Sequence, residues 1–415
     1  MTTSAPGMGN LFRNRFVQVI LLSGLLLQIG IWVRNFSILL FVVDKTNGDA
    51  FAVSMISVAE FVPIFIFSFI GGTFADRWRP KRTMVWCDIL SAASVFAVLL
   101  TLVYGTWKAV FFATLVSAIL SQFSQPSGMR LFKLHVPEAL LQAGMSIYQT
   151  MFALFMVLGP ILGTFVYQRY GIVVAIAIMG VAFLLSALVL VLLPPDAEVE
   201  TAKERTSIRE EMAAGFRYVL SRKLLTTLGL CFMIAGFAIG FIQPLGVFLV
   251  TERLGLHKEN LQWLMTASGI AMIVGGGLAM GLSKKFAPQV LLMIGLTVSA
   301  VSTALTGFST VLWFTLFAQF LAGLVLPCIQ IGINTLILQN TDAAFVGRVN
   351  GILSPIFMGS MVVTMSLAGK LKELFSIVGM YEASAVLFAL GVLVMLPVMR
   401  MPAKAGVPEG EAGSH

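Results

Sequence analysis

Apolar residues run along this chain in long blocks, separated by short polar segments. A helix of about 20 apolar residues crosses the hydrocarbon core of a bilayer, so each block predicts one membrane-spanning helix. The blocks are continuous and rich in Leu, Met, Ala and Gly, which excludes alternating, lipid-facing β-strands. Twelve spans are predicted, at residues 16–43, 51–72, 83–104, 109–125, 146–168, 172–193, 224–250, 261–282, 290–308, 311–338, 351–371 and 377–399.

Composition supports a membrane protein. Of 415 residues, 58% are hydrophobic and only 11% are charged, whereas a soluble domain carries about 25% charged residues. Much of the outer surface must therefore face lipid. The three cysteines, Cys87, Cys231 and Cys328, lie far apart in or beside apolar blocks, and their spacing predicts packing residues rather than a metal site or a disulfide framework.

The basic residues of the loops orient the spans. Nineteen of the 27 Lys and Arg residues fall on the side that carries both termini, seven fall on the opposite side, and Arg34 lies within the first span. Loops rich in Lys and Arg remain in the cytoplasm, so both termini are predicted to be cytoplasmic. The net charge of +8 is therefore a topology signal spread over many segments, and binding of nucleic acid is not expected.

The longest polar stretch divides the spans into six and six. We predict an N-terminal six-helix bundle at 1–193, a cytoplasmic linker at 194–223, a C-terminal six-helix bundle at 224–400 and a disordered tail at 401–415. Within the linker, apolar residues recur every fourth position, which predicts an amphipathic helix lying on the membrane surface. These apolar positions are Ile208, Met212, Phe216 and Leu220.

The two halves resemble each other weakly at an offset of about 200 residues, with Gln125-Pro126 matching Leu326-Pro327 and Asp44 matching Glu252. Parallel repeats related by an axis along the membrane normal are one known transporter architecture. The predicted fold class is therefore an all-α membrane protein, with its two six-helix bundles related by a pseudo-two-fold axis along the membrane normal.

A motif follows the second span and reads G-T-F-A-D-R-W-R-P-K-R from Gly72 to Arg82. It resembles the loop signature of the major facilitator superfamily, Gly-x-x-x-Asp-Arg-x-Gly-x-Lys-Arg, and departs from it only at Arg79. The resemblance implies a cytoplasmic latch that closes when the protein opens outward. The alternative is a purely topogenic basic loop. The latch residues implied are Gly72, Asp76, Arg77, Lys81 and Arg82, which Asp88 joins unless it faces the cytoplasmic vestibule.

A second motif in the fifth span, Gly159-Pro160-Ile161-Leu162-Gly163, resembles the core of the antiporter motif of the same superfamily. Its proline bends the helix, and Gly159 and Gly163 permit close packing; the alternative is an ordinary kinked helix. The whole chain also resembles the drug:proton antiporter branch that includes macrolide efflux pumps and the enterobactin exporter. This resemblance implies a multi-pass protein of the bacterial cytoplasmic membrane, and we expect a monomer.

Charged residues within spans are costly and therefore indicate function. Arg34 lies ten residues before Asp44, and Glu60 lies ten residues after Ala50, so both are predicted about 15 Å from the outer surface. A mid-membrane Arg34–Glu60 pair is therefore possible. Three roles are open for these two residues. Glu60 accepts a proton and releases Arg34, the two form a static structural ion pair, or Arg34 binds an anionic substrate. Glu382 lies close enough to the outer end of the last span to snorkel.

Polar and aromatic residues within spans are candidates for a substrate cavity, or alternatively for contacts between helices. These candidates are Gln28, Trp32, Asn35, Gln122, Gln243, Gln319, Gln330 and Asn334.

Three function classes remain open. The first is proton-coupled export of amphipathic, drug-like molecules, with the proton gradient as energy source and no cofactor. The second is a specific exporter or facilitator of a metabolite, siderophore or lipid. The third, a membrane enzyme or a receptor, is disfavoured because no catalytic set, metal cluster or nucleotide-binding loop can be assembled. The expected partners are a small-molecule substrate, protons and the lipid bilayer.

Overall fold

The computed structural model describes residues 14–104, 107–136, 138–193, 208–342 and 345–399, without the side chains of 68–77, 138–143 and 208–211. The predicted tail at 401–415 lies outside the described residues. The described part of the chain is helical, and ten of its segments are long and apolar enough to cross a membrane. The helices are α1 Arg15–Lys45, α2 Ala50–Arg77, α3 Pro80–Val103, α4 Val110–His135, α5 Glu138–Val191, α6 Ile208–Ser221, α7 Lys223–Ile242, α8 Leu261–Ser283, α9 Pro288–Phe308, α10 Leu312–Asn340 and α11 Val346–Met399.

Several helices extend beyond the predicted spans. The second and fourth spans were predicted to end at 72 and 125, whereas α2 continues to Arg77 and α4 to His135. Pro126 consequently lies inside α4 rather than at its end. Apolar length marks only the hydrocarbon core, but a helix satisfies its own backbone hydrogen bonds and can project beyond it. The start of the Gly72–Arg82 motif is therefore helical.

Helix α5 has 54 residues and folds back on itself at Gly171, whose φ of 78° and ψ of −178° favour glycine. Its first part runs parallel to α1 and its second part antiparallel. The contacts that show this are Gly24 with Met151, Phe36 with Gly163, Gly30 with Met179, and Ser23 with Ser186. The predicted fifth and sixth spans are thus the two arms of one helical hairpin.

Helix α11 repeats this arrangement in the second half of the chain. It also has 54 residues, and its break is at Ser376, with φ 64° and ψ 165°. Its first arm runs parallel to α7 and its second arm antiparallel. The contacts are Gly229 with Leu353, Gly240 with Thr364, Ala238 with Ser384, and Ile234 with Gly391.

The positions at which three helices begin show the internal repeat more clearly than the weak sequence similarity between the halves. Helices α1, α3 and α5 begin at Arg15, Pro80 and Glu138, and each has a counterpart beginning 208 residues later. The counterparts begin at Lys223, Pro288 and Val346. We call residues 14–193 the first half and 223–399 the second half.

The second half departs from the repeat at the end of α7, because Pro244 lacks a backbone N–H and interrupts the α-helical ladder. The chain continues as a 3₁₀ turn at Gln243–Leu245, one α turn at Gly246–Phe248 and a π turn at Leu249–Arg253. Helix α1 has no such interruption and runs to Lys45.

The molecule has two ends that differ in how the halves meet. The Asp44 end carries the α1–α2 turn, Gly171, Gly255 and Ser376. The linker end carries the α2–α3 and α8–α9 turns and α6. At the Asp44 end, one buried apolar cluster draws on both halves, including Phe41 and Val53 from the first and Phe248 and Met380 from the second.

At the linker end, each half has its own buried cluster. One contains Ile20, Phe132 and Leu190 from the first half. The other contains Leu228 and Met395 from the second half, together with Val219 of α6. The halves therefore share a core at the Asp44 end and keep separate cores at the linker end.

Helix α6 is amphipathic, as its sequence pattern predicts. It also packs against the second half of the same chain, which the sequence did not indicate. Tyr218 stacks on Phe345 with ring centroids 4.3 Å apart, and its hydroxyl donates to Asp342 at 2.8 Å. Arg222 pairs with the same carboxylate at 3.0 Å. These contacts fasten α6 to the second half. Its other face exposes Met212, Phe216 and Leu220.

Candidate functional site

One face of α1 carries the polar groups at the centre of the first half. Gln28, Trp32 and Asn35 follow each other at intervals of four and three residues, which places them on one helix face. Gln28 is buried, and its Oε1 accepts a hydrogen bond from Trp32 Nε1 at 3.1 Å. The structure thus joins two of the predicted cavity residues into one group.

The amide of Asn35 connects the two predicted intramembrane charges. Arg34 donates from Nε and Nη2 to Asn35 Oδ1 at 2.9 and 2.5 Å. Asn35 Nδ2 in turn donates to Glu60 Oε1 at 3.1 Å. Arg34 and Glu60 form no direct ion pair. The sequence therefore predicted the correct neighbourhood for the pair but missed the group between them.

Arg34 and Glu60 differ in their surroundings. Arg34 is only 3% exposed, and its Nη1 has no hydrogen-bond partner among the described residues. Glu60 is half-buried. A buried guanidinium with an unused donor is costly unless an acceptor reaches it. The arrangement therefore joins one half-buried carboxylate, one bridging amide and one cation with spare hydrogen-bonding capacity.

The glycines of the Gly159–Gly163 motif receive side chains of α1. A Cβ at Gly159 would lie 2.3 Å from Trp32 Cδ2, and one at Gly163 would lie 2.5 Å from Phe36 Cβ. Only glycine permits this approach. Ser37 Oγ also donates to the Gly163 carbonyl at 3.4 Å. The motif therefore positions Trp32, next to the polar group of α1.

The bend at Pro160 faces the second half of the molecule. Because proline has no N–H, the carbonyl of Met156 lacks its usual helical partner. Gly269 of α8 packs on this carbonyl, 3.1 Å from where its Cβ would lie. Thr266 of α8 donates to the neighbouring carbonyl of Val157 at 3.1 Å. One side of the motif thus contacts α1 and the other contacts α8 across the junction of the halves.

The remaining predicted cavity residues do not join the α1 group. Gln122 is half-buried and donates to Ser121 at 3.2 Å. Gln330 and Asn334 lie four residues apart on one face of α10 and are exposed, as is Gln243, while Gln319 is half-buried. Exposed amides in the interior of an apolar helix are consistent with a polar surface lining the space between the halves.

Asp88 is not at the vestibule, contrary to one of the two predictions. It is 2% exposed, and its Oδ2 accepts a hydrogen bond from Ser186 at 2.6 Å. Ser186 also contacts Ser23 at 2.7 Å. The carboxylate lies inside the first half because the buried face of α3 points toward α1 and the second arm of α5.

Glu382 does not extend freely to the surface, although its place in the sequence permitted snorkelling. It lies against Gly307 of α9, where a Cβ would be 2.8 Å from its Oε1. That oxygen is buried without a hydrogen-bond partner among the described residues. The glycine opposite creates the space that holds the carboxylate within the second half.

The latch residues are only partly described. The side chains of Gly72, Asp76 and Arg77 lie outside the described residues. Lys81 donates to the carbonyls of Val191, at 2.9 Å, and Leu193. A lysine at the last carbonyls of a helix compensates their partial negative charge. Lys81 therefore fastens the start of α3 to the end of α5, within the first half.

Sequence reasoning missed a group at the Asp44 end. Lys258, which precedes α8, pairs with Asp44 of the first half and donates to the Leu40 carbonyl at 3.3 Å. Tyr167 donates to the same Asp44 at 2.6 Å, and Lys258 lies 5.5 Å from the Tyr167 ring centroid. The charge of each loop residue was visible in the sequence. Their pairing was not, because over 200 positions separate Lys258 from Asp44.

Known proteins resemble this chain over most of its length. The family model of the Major Facilitator Superfamily matches residues 20–251 and 228–414. The uncharacterized MFS-type transporter YkuC of Bacillus subtilis (strain 168) is 25% identical over an alignment of 399 positions, which covers 93% of this chain and 91% of the relative. The multidrug efflux pump Tap of Mycolicibacterium fortuitum is 27% identical, with 85% and 89% covered. Macrolide efflux protein A of Streptococcus pyogenes is 23% identical, with 81% and 84% covered.

Solved structures agree with this chain in fold. The nucleoside transporter NupG has a TM-score of 0.72 at 14% identity, covering 94% of this chain and 100% of the other. A POT family transporter in complex with 5-aminolevulinic acid has a TM-score of 0.72 at 12% identity, covering 93% and 96%. At such identities the likeness concerns the fold alone.

Proposed function

Because this chain belongs to the major facilitator superfamily, we propose that it is a proton-coupled exporter of amphipathic, drug-like small molecules that works by alternating access. The observation that carries the proposal is the Arg34–Asn35–Glu60 chain, deep in the apolar interiors of α1 and α2. Ionisable groups at such depth mark ion or substrate pathways.

The proposed layout has twelve spans. Helices α5 and α11 each supply two crossings because each folds back on itself at Gly171 or Ser376. The spans would form two six-helix bundles related by a pseudo-two-fold axis along the membrane normal, which the common offset of 208 residues supports. The basic loops then put the linker end and both termini in the cytoplasm of a bacterial cell.

The proposed state is open toward the cytoplasm. The shared cluster and the Lys258–Asp44 pair close the Asp44 end, while the separate clusters at the linker end leave the halves free to part. In the opposite state, Asp76 and Arg77 would latch the linker ends together. Rigid halves that rock about a central site are the usual form of alternating access in such repeats.

Proton coupling is proposed to act through Asn35. While Glu60 is ionised, it accepts from Asn35 Nδ2, and Asn35 Oδ1 remains available to Arg34. A protonated Glu60 would donate to Oδ1 after the amide flips, and the flipped amide could no longer accept from Arg34. Arg34 would then need another acceptor. Protonation would thus change which hydrogen-bonding groups Asn35 and Arg34 offer to a ligand, and this difference in ligand binding is proposed to couple the proton to the cargo.

The cargo is proposed from the walls of the central space. Half-buried Trp32 of α1 and the exposed Gln330 and Asn334 of α10 combine aromatic surface with a few amides. Such walls suit amphipathic molecules held mainly by apolar contact. The efflux pumps for multiple drugs and macrolides among the relatives point to the same class of cargo.

The test is transport by purified protein in proteoliposomes with an imposed pH gradient, using a cationic dye, a macrolide and a siderophore as cargo. Glu60→Gln is expected to abolish gradient-driven transport while dye binding is retained. Glu373→Gln, which removes an exposed carboxylate at the Asp44 end, is the matched control and should transport normally. Normal pumping by Glu60→Gln would exclude this residue as the coupling site.

A second candidate is a specific exporter or facilitator of an anionic metabolite, siderophore or lipid. The unused Nη1 of buried Arg34 favours it, because an anionic group would supply the missing acceptor. Transport of the siderophore alone, without a requirement for the pH gradient, would favour this candidate over the first.

A further inference from the structure

We propose that a groove between α3 and α4 at the linker end binds one anionic phospholipid. The groove lies outside the central site and has a volume of about 530 Å³. Its lining combines arginine, tryptophan and aliphatic side chains. One wall carries Arg79, Arg82, Trp86 and Leu90, and the other carries Leu120 and Phe123.

The residues of α3 are ordered by polarity along one helix face. Arg79 immediately precedes α3. Arg82, Trp86 and Leu90 follow it at intervals of three, four and four residues, so these three side chains share a helix face with Arg79 at its end. All four are exposed. From Arg79 to Leu90 the helix rises about 16 Å, close to the half-thickness of about 15 Å of a bilayer core. The wall therefore spans one leaflet from its surface inward.

Each level of this wall matches a level of a phospholipid. The two arginines lie where a headgroup phosphate lies, and arginine binds phosphate through paired N–H donors. Trp86, 52% exposed, stands one to two helical turns deeper, at the interfacial level where tryptophan is enriched. Leu90, 49% exposed, lies at the acyl level. Basic pockets between transmembrane helices bind anionic headgroups in the same way.

The opposite wall is held in place by aromatic contacts. Trp78 stacks on Phe123 with ring centroids 5.8 Å apart. Arg130 of α4 donates to the Trp78 carbonyl at 3.4 Å. These contacts bridge α4 to the α2–α3 turn, so the turn that carries Arg79 forms the rim of the groove. Arg79 is also the one residue that departs from the superfamily motif, which has glycine there. The departure supplies a positive charge to the groove.

The experiment is native mass spectrometry of the purified full-length chain with dioleoyl phosphatidylglycerol and, separately, dioleoyl phosphatidylcholine. One phosphatidylglycerol is expected to remain bound in preference to phosphatidylcholine. Arg79→Gly should lower its retention about fivefold, the equivalent of about 1 kcal/mol for one basic residue near a membrane surface. Trp86→Ala should lower the retention of both lipids.

Lys284→Gln is the matched control, because it removes one exposed charge from the α8–α9 turn at the same end; its lipid retention should equal that of the unmodified chain. Inorganic phosphate should not displace the lipid. Equal retention of the two lipids, unchanged retention in Arg79→Gly, or displacement by phosphate would each overturn the proposal. If Arg79→Gly aggregates in gel filtration, Arg79→Gln decides by the same measurement.

Discussion

The Asp44 end and the linker end are built from helices of the same kind, yet different contacts hold them together. At the Asp44 end, both halves contribute to one apolar cluster, and Lys258 of one half pairs with Asp44 of the other. At the linker end, the clusters are separate. Lys81 with the Val191 carbonyl joins two helices of the first half, and Arg222 with Asp342 joins the α6 segment to the second half.

This difference shows how one chain can open at a single end. Contacts within a half, such as the hairpin of α5 on α1, persist whichever end is open. In the proposed alternating access, contacts between the halves form and break, so they carry the conformational equilibrium. Substitutions in contacts between halves should therefore shift that equilibrium, and similar substitutions within one half should not.

The largest effect is expected at Gly369 of α11. A Cβ there would lie 2.6 Å from the Ala50 carbonyl oxygen and from Phe51 Cα, so Gly369→Leu should prevent α11 from closing on α2. Overpacking of this kind costs about 1–3 kcal/mol. The Asp44 end should then open in most molecules, measured as a longer distance between spin labels on Lys45→Cys and His257→Cys.

Gly351→Leu is the control for this substitution. Gly351 lies on the same helix near the linker end, and a Cβ there would meet nothing within 4 Å. Its label distance should match that of the unsubstituted chain. A distance that is unchanged in Gly369→Leu would mean that the α2–α11 contact does not hold this end closed.

A smaller shift in the same direction is expected for Lys258→Gln. The variant removes the ion pair with Asp44, whose side chain is 50% exposed, so the loss should be at most about 1 kcal/mol, or roughly fivefold in population. Lys372→Gln breaks a pair with Glu252 at the same end but within the second half, and should leave the label distance unchanged. Exchanging the charges, with Asp44→Lys and Lys258→Asp together, should rebuild the ion pair and return the label distance at the Asp44 end to that of the unsubstituted chain.

The smallest effect is expected for Asp76→Lys, which should favour the state with a closed Asp44 end rather than open that end. If Asp76 latches the linker ends in the opposite state, its charge reversal destabilises that state and should slow transport, while the Asp44 end stays closed. A charge near a helix end contributes about 0.3–1 kcal/mol. Asp342→Lys, which disturbs only the attachment of α6 to the second half, is the comparison. Transport equally slowed in both variants would contradict a latch at Asp76.

The relative height of residues on neighbouring helices could be predicted well, and direction around each helix could not. Counting from the α1–α2 turn put Arg34 and Glu60 at one height, and the structure brings them to the two sides of Asn35. The same counting allowed Glu382 to snorkel, although its Oε1 is buried against Gly307. Residue number fixes the rise along a helix axis. Rotation and tilt depend on neighbouring helices that the count does not include.

The amino-acid sequence by itself determined which segments are long and apolar enough to cross a bilayer, which loops carry the basic residues and where glycine permits close packing, because these properties depend on local composition and spacing. Only the tertiary structure decided that Asn35 stands between Arg34 and Glu60 and that Lys258 pairs with Asp44. It also decided that the halves share one apolar cluster at the Asp44 end and have separate clusters at the linker end. These outcomes depend on contacts between residues far apart in the chain. The energies of these contacts depend on how whole helices pack against one another, which the spacing of residues within one helix does not fix.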